Sequence, residues 1–396
     1  MKPISDVVKK APPSGIRRFF DIVSQTGDVV SLGVGEPDFV TPWRIREAAI
    51  YSLEKGYTNY TSNYGLLELR QLISRYLGER WGLDYSPESQ ILVTVGVSEG
   101  LDLALRAILN PGEEVLVPEP SYVSYKPCVM FAGGVPVPIP TTAAAGFKVA
   151  ADGLEAGVTA RTKAVLVSYP SNPTGATLSR EDLQAIVDVA RKHDLFVISD
   201  EIYDRLTYEG SHTCAPTLEG AYERTILLNG FSKAYAMTGW RVAYAASTPD
   251  VIECMMKIHQ YTILCAPIMS QMAAIEAIQS GEGDSDQMVE EYDRRRRVIV
   301  SGLNSIGLEC LMPGGAFYAF PSISGTGLSS EEFAERLLFE EKVAVVPGNA
   351  FGECGEGYVR CSYATGGDQI QMALERMGRF VEKIGAPGQP TPARRE

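Results

Sequence analysis

The 396-residue chain carries 36 Lys and Arg against 49 Asp and Glu, a formal net charge of -13, which excludes a nucleic-acid protein that works by broad phosphate neutralisation. A hydrophobic fraction of 45% beside 21% charged residues excludes a disordered chain, and at roughly 150 residues per domain the length predicts two to three domains. The only three histidines, His193, His212 and His259, lie at no metal-site spacing, so a zinc centre has no basis in the sequence.

In chain order, the N-terminus (Met1-Lys2-Pro3-Ile4-Ser5-Asp6) is polar and lacks the apolar stretch of a signal peptide. No apolar run approaches the ~18–20 residues of a membrane helix. The seven cysteines are scattered without a Cys-x-x-Cys pair, which predicts free thiols in a reducing compartment. The expectation is a cytoplasmic chain with no membrane and no nucleic-acid partner.

Residues 91–95 (Ile-Leu-Val-Thr-Val) read as a strand, followed by Gly96 and a helical pattern over 101–109. Strand-like runs recur at 114–117, 164–167, 195–198, 225–228 and 241–244. Between them, 180–193 is an amphipathic helix with Leu183, Ile186, Val187 and Ala190 on one face. Strands alternating with helices predict an α/β fold whose mostly parallel sheet is covered on both faces. From 267 to 306 the pattern is helical, interrupted at 281–284; Glu290 and Glu291 stand four residues before Arg294 and Arg295, so the run 294–297 reads as a solvated face and not as a basic patch. A shorter α/β stretch reaches about 384, and a Pro/Gly-rich tail, expected to be disordered, closes the chain. There is no internal repeat.

Ligands of open parallel sheets bind beyond the carboxyl ends of the strands, and here polar residues cluster there. Strand 91–95 leads into Gly96-Val97-Ser98-Glu99-Gly100, whose helix N-terminus suits a phosphate. The same five residues match a nucleophile elbow, which keeps a serine hydrolase through Ser98 as a rival, and a capping loop would also explain them. Strand 114–117 leads to Tyr122, strand 164–167 to Asn172-Pro-Thr-Gly175, and strand 195–198 to Asp200-Glu-Ile-Tyr203. Strand 225–228 leads to Ser232-Lys233, with Arg241 eight residues on. Each alone is compatible with an ordinary loop. Together, a phosphate cradle, a stacking ring, an amide, an acid, a lysine and an arginine at one sheet edge form the set needed to hold pyridoxal 5′-phosphate.

With these motifs the sequence resembles the class I/II aminotransferases of the fold-type I pyridoxal-phosphate enzymes. The match is carried by 232–241 (Ser-Lys-Ala-Tyr-Ala-Met-Thr-Gly-Trp-Arg), 172–175 and 200–203, and joined by 32–38, Tyr60 with Gly65 and Leu69-Arg70, 347–352 and 358–362. It runs in order from about residue 15 to 384.

The resemblance implies a large domain with a seven-stranded, mostly parallel sheet between helices and a smaller α/β domain. The spans are 1–44 for an N-terminal arm that begins the small domain, 45–285 for the cofactor domain, 286–384 for the rest of the small domain and 385–396 for the tail. It implies that Lys233 holds the cofactor and shuttles a proton, that Asp200 pairs with the ring nitrogen, and that Asn172 and Tyr203 contact the phenolic oxygen. Tyr122 would stack on the ring. Val97, Ser98, Ser232 and Arg241 would bind the phosphate, and Tyr60 would reach the phosphate of a neighbouring subunit, implying a homodimer with shared sites. Arg360 would clamp the substrate carboxylate, with Gly35 giving the backbone room beside it.

Two departures matter. Ala243 stands where the family often has Gly. Ser98 stands where one bacterial aspartate-type subgroup has a lysine for the distal carboxylate, and the stretch 61–64 (Thr-Ser-Asn-Tyr), which could line a side-chain pocket, offers no cation. The expected reaction is therefore amino transfer from aromatic or broad neutral L-amino acids, aspartate remaining open, to a 2-oxoacid such as 2-oxoglutarate. A C–S β-lyase on the same fold is the nearer rival. The hydrolase lacks a credible base, and a cofactor-binding regulator lacks room for a DNA-binding segment before the first sheet motif.

Overall fold

The computed structural model describes residues 3–11 and 28–385; the expected tail lies outside the described residues except for Gly385, which ends the last helix. Twelve strands are described: β1 (Val30–Ser31), β2 (Ile91–Thr94), β3 (Glu114–Glu119), β4 (Val135–Pro140), β5 (Thr162–Val167), β6 (Phe196–Asp200), β7 (Thr225–Gly230), β8 (Ala243–Ala246), β9 (Tyr318–Ala319), β10 (Val343–Ala344), β11 (Val346–Pro347) and β12 (Val359–Ser362). Seven of them form the central sheet in the order β2-β8-β7-β6-β5-β3-β4, parallel except for β8, which runs against β2 and β7. β2, β3, β7 and β8 are buried along their whole length, as continuous apolar runs covered on both faces should be.

Three expectations are corrected. The seventh strand, β4, has the sequence Val-Pro-Val-Pro-Ile-Pro, and its prolines hide it from a strand reading. It is an edge strand paired only with β3. Val135 N donates to Glu113 O, so the odd-numbered residues turn their N–H groups inward and the prolines fall where a donor would face outward unpaired. Prolines there also block pairing with another chain. The strand expected at 241–244 instead spans Ala243–Ala246, with Arg241 in the left-handed region at φ 51°. Ala243 lies opposite Gly230 on β7, where a Cβ on Gly230 would approach its Cβ to 2.6 Å; the bare Gly230 makes room for the methyl group that departs from the family pattern.

The third correction concerns the run 294–297. The helix Glu282–Ser305 is continuous past residues 283 and 284, and the break before it is confined to Gly281. Arg294 and Arg297 are exposed, but Arg295 and Arg296 are buried. Arg295 donates to Asp38 Oδ1 at 2.8 Å, and Arg296 to Pro313 O at 2.6 Å with Asp293 at 2.7 Å. Successive residues of a helix turn through about 100°, so four in a row cannot share one solvated face.

The helix expected over 180–193 spans Arg180–Lys192 and opens with a Ser179/Asp182 capping box. The helix after β2 begins at Gly96, five residues before its apolar pattern, which places Val97 and Ser98 in its first turn. In the C-terminal part, β11-β12-β9 form an antiparallel sheet flanked by the helices Ser330–Glu341 and Gly367–Gly385. β1 pairs with β10, and Ser362 N donates to Leu32 O at 2.7 Å. The segment after β1 thus runs beside β12 and delivers residues 33–38 to the carboxyl edge of the central sheet. Among the described residues no helix is long and apolar enough to cross a membrane, and all seven cysteines are free.

Candidate active site

β6 and β7 are neighbours in the sheet and end side by side. Asp200 is the last residue of β6 and is 6% exposed. Its Oδ2 accepts from Tyr125 Oη at 2.8 Å and its Oδ1 from Ile202 N at 3.2 Å. Burial pushes its pKa up to about 6, against the lowering pull of those two hydrogen bonds. Lys233 follows β7 by three residues. Its Nζ donates to Gly35 O at 2.7 Å, and burial pushes its pKa down to about 8, with Glu36 opposing and Arg360 and Arg241 assisting. Gly35 has no Cβ for a reason of space: one built there would lie 2.7 Å from Tyr318 Oη.

The turn from β2 into its helix forms the second part. Gly96 has φ +77°, and a Cβ on it would lie 2.3 Å from Arg241 Nη2, so only glycine allows the guanidinium so close to the helix start. Arg241 Nη1 donates to Thr238 O at 2.9 Å. The first-turn N–H groups of a helix have no intrahelical acceptor, and here they share the cavity wall with Ser98, Ser232 and Arg241.

The third part comes from the C-terminal sheet. Arg360 on β12 is 2% exposed; Nη1 donates to Asn172 Oδ1 at 2.9 Å and Nη2 to Gly33 O at 2.6 Å. Its guanidinium lies 4.5 Å from the Tyr318 ring centroid, and its Nε is buried without a partner. Tyr203 Oη and Tyr318 Oη are 2.8 Å apart.

These groups surround one cavity of about 480 Å³. Gly35, Val97, Ser98, Tyr122, Asn172, Asp200, Tyr203, Ser232, Lys233, Arg241 and Arg360 all line it. Tyr60 does not; it is 82% exposed. The 61–64 stretch is likewise outside the wall, with Asn63 Nδ2 bound to Leu264 O at 2.8 Å. Tyr125 and Tyr318 belong to the site without having been expected. Neither lies in a motif, and two tyrosines among 19 carry no spacing signal. No histidine lines the cavity: His193, His212 and His259 are paired with Glu155, Glu201 and Glu99. Ser98 thus has no imidazole base. No cluster among the described residues could hold a metal ion.

Comparison with known proteins identifies the family. The family model for aminotransferase class I and II matches residues 27–377. YugH of Bacillus subtilis, named provisionally as an aminotransferase, is 56% identical over 96% of this chain and 98% of its own. The aspartate aminotransferase of Pyrococcus abyssi is 45% identical over 96% of this chain and 98% of its own. Among solved structures, the aromatic aminotransferase of Pyrococcus horikoshii superposes with a TM-score of 0.89 at 44% identity, covering 93% of this chain and 99% of its own.

Proposed function

This chain belongs to the class I and II aminotransferases, and from that premise we propose that it binds pyridoxal 5′-phosphate around Lys233 and transfers the amino group of aromatic or broad neutral L-amino acids to a 2-oxoacid such as 2-oxoglutarate. The observation that carries the reading is the pairing, on one cavity wall, of a buried amine with a depressed pKa and a buried acid with a raised one.

The residues present fit that group. Lys233 supplies an amine for its aldehyde. The buried Asp200 carboxylate lacks a cationic partner, which a protonated ring nitrogen would be. The helix start at Gly96, with Ser98, Ser232 and Arg241, supplies donors for a phosphate. Bound there, the cofactor supplies an aldehyde that takes up and releases the amino group, and a ring that accepts the electron pair of the broken Cα–H bond. Asn172 and Tyr203 would hold its phenolic oxygen and Tyr122 would stack on its ring. The orphaned Nε of Arg360 is a donor without an acceptor, and a substrate carboxylate satisfies it. Clamped so, the substrate Cα–H is oriented towards Lys233 Nζ, which takes the proton and returns it.

Among the described residues, Lys233, Arg241 and Arg360 are the only cations on the cavity wall. With amine, phosphate and α-carboxylate assigned to them, none of these three remains for a second carboxylate, which supports neutral donors. The test is a panel of amino donors and 2-oxoacids, following the absorbance of the purified yellow protein. Aromatic donors should react faster than aspartate; a tenfold preference for aspartate would sink the substrate assignment. Release of pyruvate and ammonia without an acceptor would favour the lyase.

Arg360→Lys should raise KM for the amino donor about 10²-fold, because an ammonium cannot give two parallel N–H bonds, with cofactor affinity unchanged by fluorescence titration. The cofactor-free chain should capture pyridoxal phosphate faster as pH rises, about tenfold per unit below pH 8 and level above it, since the neutral amine is the nucleophile and burial pushes the Lys233 pKa down to about 8. A flat profile from pH 6 to 9 would contradict the assignment.

The reading includes a homodimer in which Tyr60 of each subunit reaches the other's phosphate. Its exposure, with that of Trp43 at 56%, Tyr51 at 55% and Tyr261 at 87%, supports a covered face, and sedimentation at twice the chain mass tests it. It also includes a cytoplasmic setting, in keeping with seven free thiols. A cofactor domain of 45–285 would close against a small domain of 1–44 and 286–384, excluding water.

A further inference from the structure

The helix that begins at Gly96 carries an acid in its first turn, Glu99. An acid beside a site for a doubly charged phosphate is unfavourable unless something holds it away. Glu99 is tied at both oxygens. Oε2 accepts from Val95 N at 2.5 Å, and Oε1 meets His259 Nδ1 at 2.8 Å. His259 lies on the neighbouring helix Pro249–Thr262, is fully buried, and its Nε2 has no partner. A ring with its hydrogen on Nδ1 satisfies the bond to Glu99 and leaves only a lone pair unmet, whereas hydrogen on Nε2 would leave a buried donor unpaired. His259 therefore donates to Glu99, and Glu99 fixes the Val95–Gly96 turn. That turn sets both the direction of the free N–H groups at 97 and 98 and the close approach of Arg241 to Gly96.

We infer that His259 is a positioning residue for the cofactor phosphate, acting through Glu99 on the turn at 95–98. This rests on the reading of the cavity given above. Without the Nδ1 donor, Glu99 loses one anchor, the turn loosens, and the carboxylate is free to compete with the phosphate for the first-turn N–H groups. The effect is confined to the phosphate, because Lys233, Asp200 and Tyr203 sit on other strand ends.

The test uses the full chain freed of cofactor, titrated by fluorescence with pyridoxal phosphate and with pyridoxal, which lacks the phosphate. His259→Phe should weaken pyridoxal phosphate about tenfold and change pyridoxal by less than about twofold. His259→Asn, whose amide nitrogen can stand where Nδ1 stood, should recover most of the loss; His259→Gln, which places its amide at the Nε2 position, should not. If the phenylalanine variant does not fold, the Asn–Gln contrast carries the same test. Equal weakening of both ligands, no weakening, or Asn no better than Gln would overturn the role of His259. A wild-type chain that binds the two ligands equally would overturn the phosphate site itself, an outcome distinct from an unaffected His259 variant in a chain that prefers the phosphate.

Discussion

Replacing Lys233 with alanine should lower the rate of amino transfer by roughly 10⁴-fold or more, while the proposed phosphate contacts should still retain the cofactor. The size follows from the absence of a substitute. Among the described residues Lys233 Nζ is the only amine on the cavity wall, and no histidine shares that wall. Its nucleophilicity is built by the fold: burial outweighs the neighbouring Glu36, and the nearby Arg360 and Arg241 add to the depression. Its one polar partner, Gly35 O at 2.7 Å, is a carbonyl that cannot take the proton, so the amine is held in place without being neutralised by a carboxylate. Two measurements check this. Borohydride treatment followed by mass analysis should leave the cofactor unattached in Lys233→Ala. Single-turnover absorbance with an amino donor should be slowed by the stated factor. A variant that keeps a hundredth of the rate would mean that another group moves the Cα proton.

The parts of this site that were legible in the sequence are those whose chemistry is written at strand ends. Asp200, Lys233, Asn172 and Ser98 each follow a short apolar run, and parallel topology brings such ends to one edge. What was not legible depends on pairing between distant segments. Tyr318 meets Tyr203 and underlies Arg360 because β9 joins β12. Tyr125 meets Asp200 across 75 residues. The burial of Arg295 and Arg296 rests on Asp38, 257 residues away from Arg295, and on Pro313, 17 residues beyond Arg296 and outside their helix. β4 was lost for the opposite reason: local chemistry spoke against a strand, and only its outer-edge position reconciles three prolines with a sheet. The chain carries a net -13, yet three cations and a helix start converge on one cavity, which is the local field an anionic cofactor and substrate bound there would meet.

Asp200→Asn should slow transfer about 10³-fold, as expected when one member of a buried charge pair is removed, and should stabilise the cofactor-free chain. The two effects have one cause. The Asp200 carboxylate is buried, with one hydroxyl and one N–H as donors and no ion pair among the described residues. Its pKa is therefore raised from 3.8 to about 6. A folded-state value above the unfolded one means that the charged form is the penalised form, so this group's contribution to stability is full below about pH 4 and is lost as pH rises through about 6. Asparagine has no such penalty. At pH 8 the cofactor-free Asp200→Asn chain should melt above wild type, and by pH 4 the difference should vanish. Pyridoxal phosphate should reverse the order, because its ring nitrogen would be the cation that Asp200 lacks; wild type should gain more thermal stability from the cofactor at pH 8 than the variant does. Thermal melts at the two pH values, with and without cofactor, separate the cases. A variant that melts lower than wild type at pH 8 without cofactor would show that the carboxylate holds the end of β6 together, and unslowed turnover would remove it from the chemistry. Slower transfer with a more stable empty chain marks Asp200 as a strained charge kept for the cofactor.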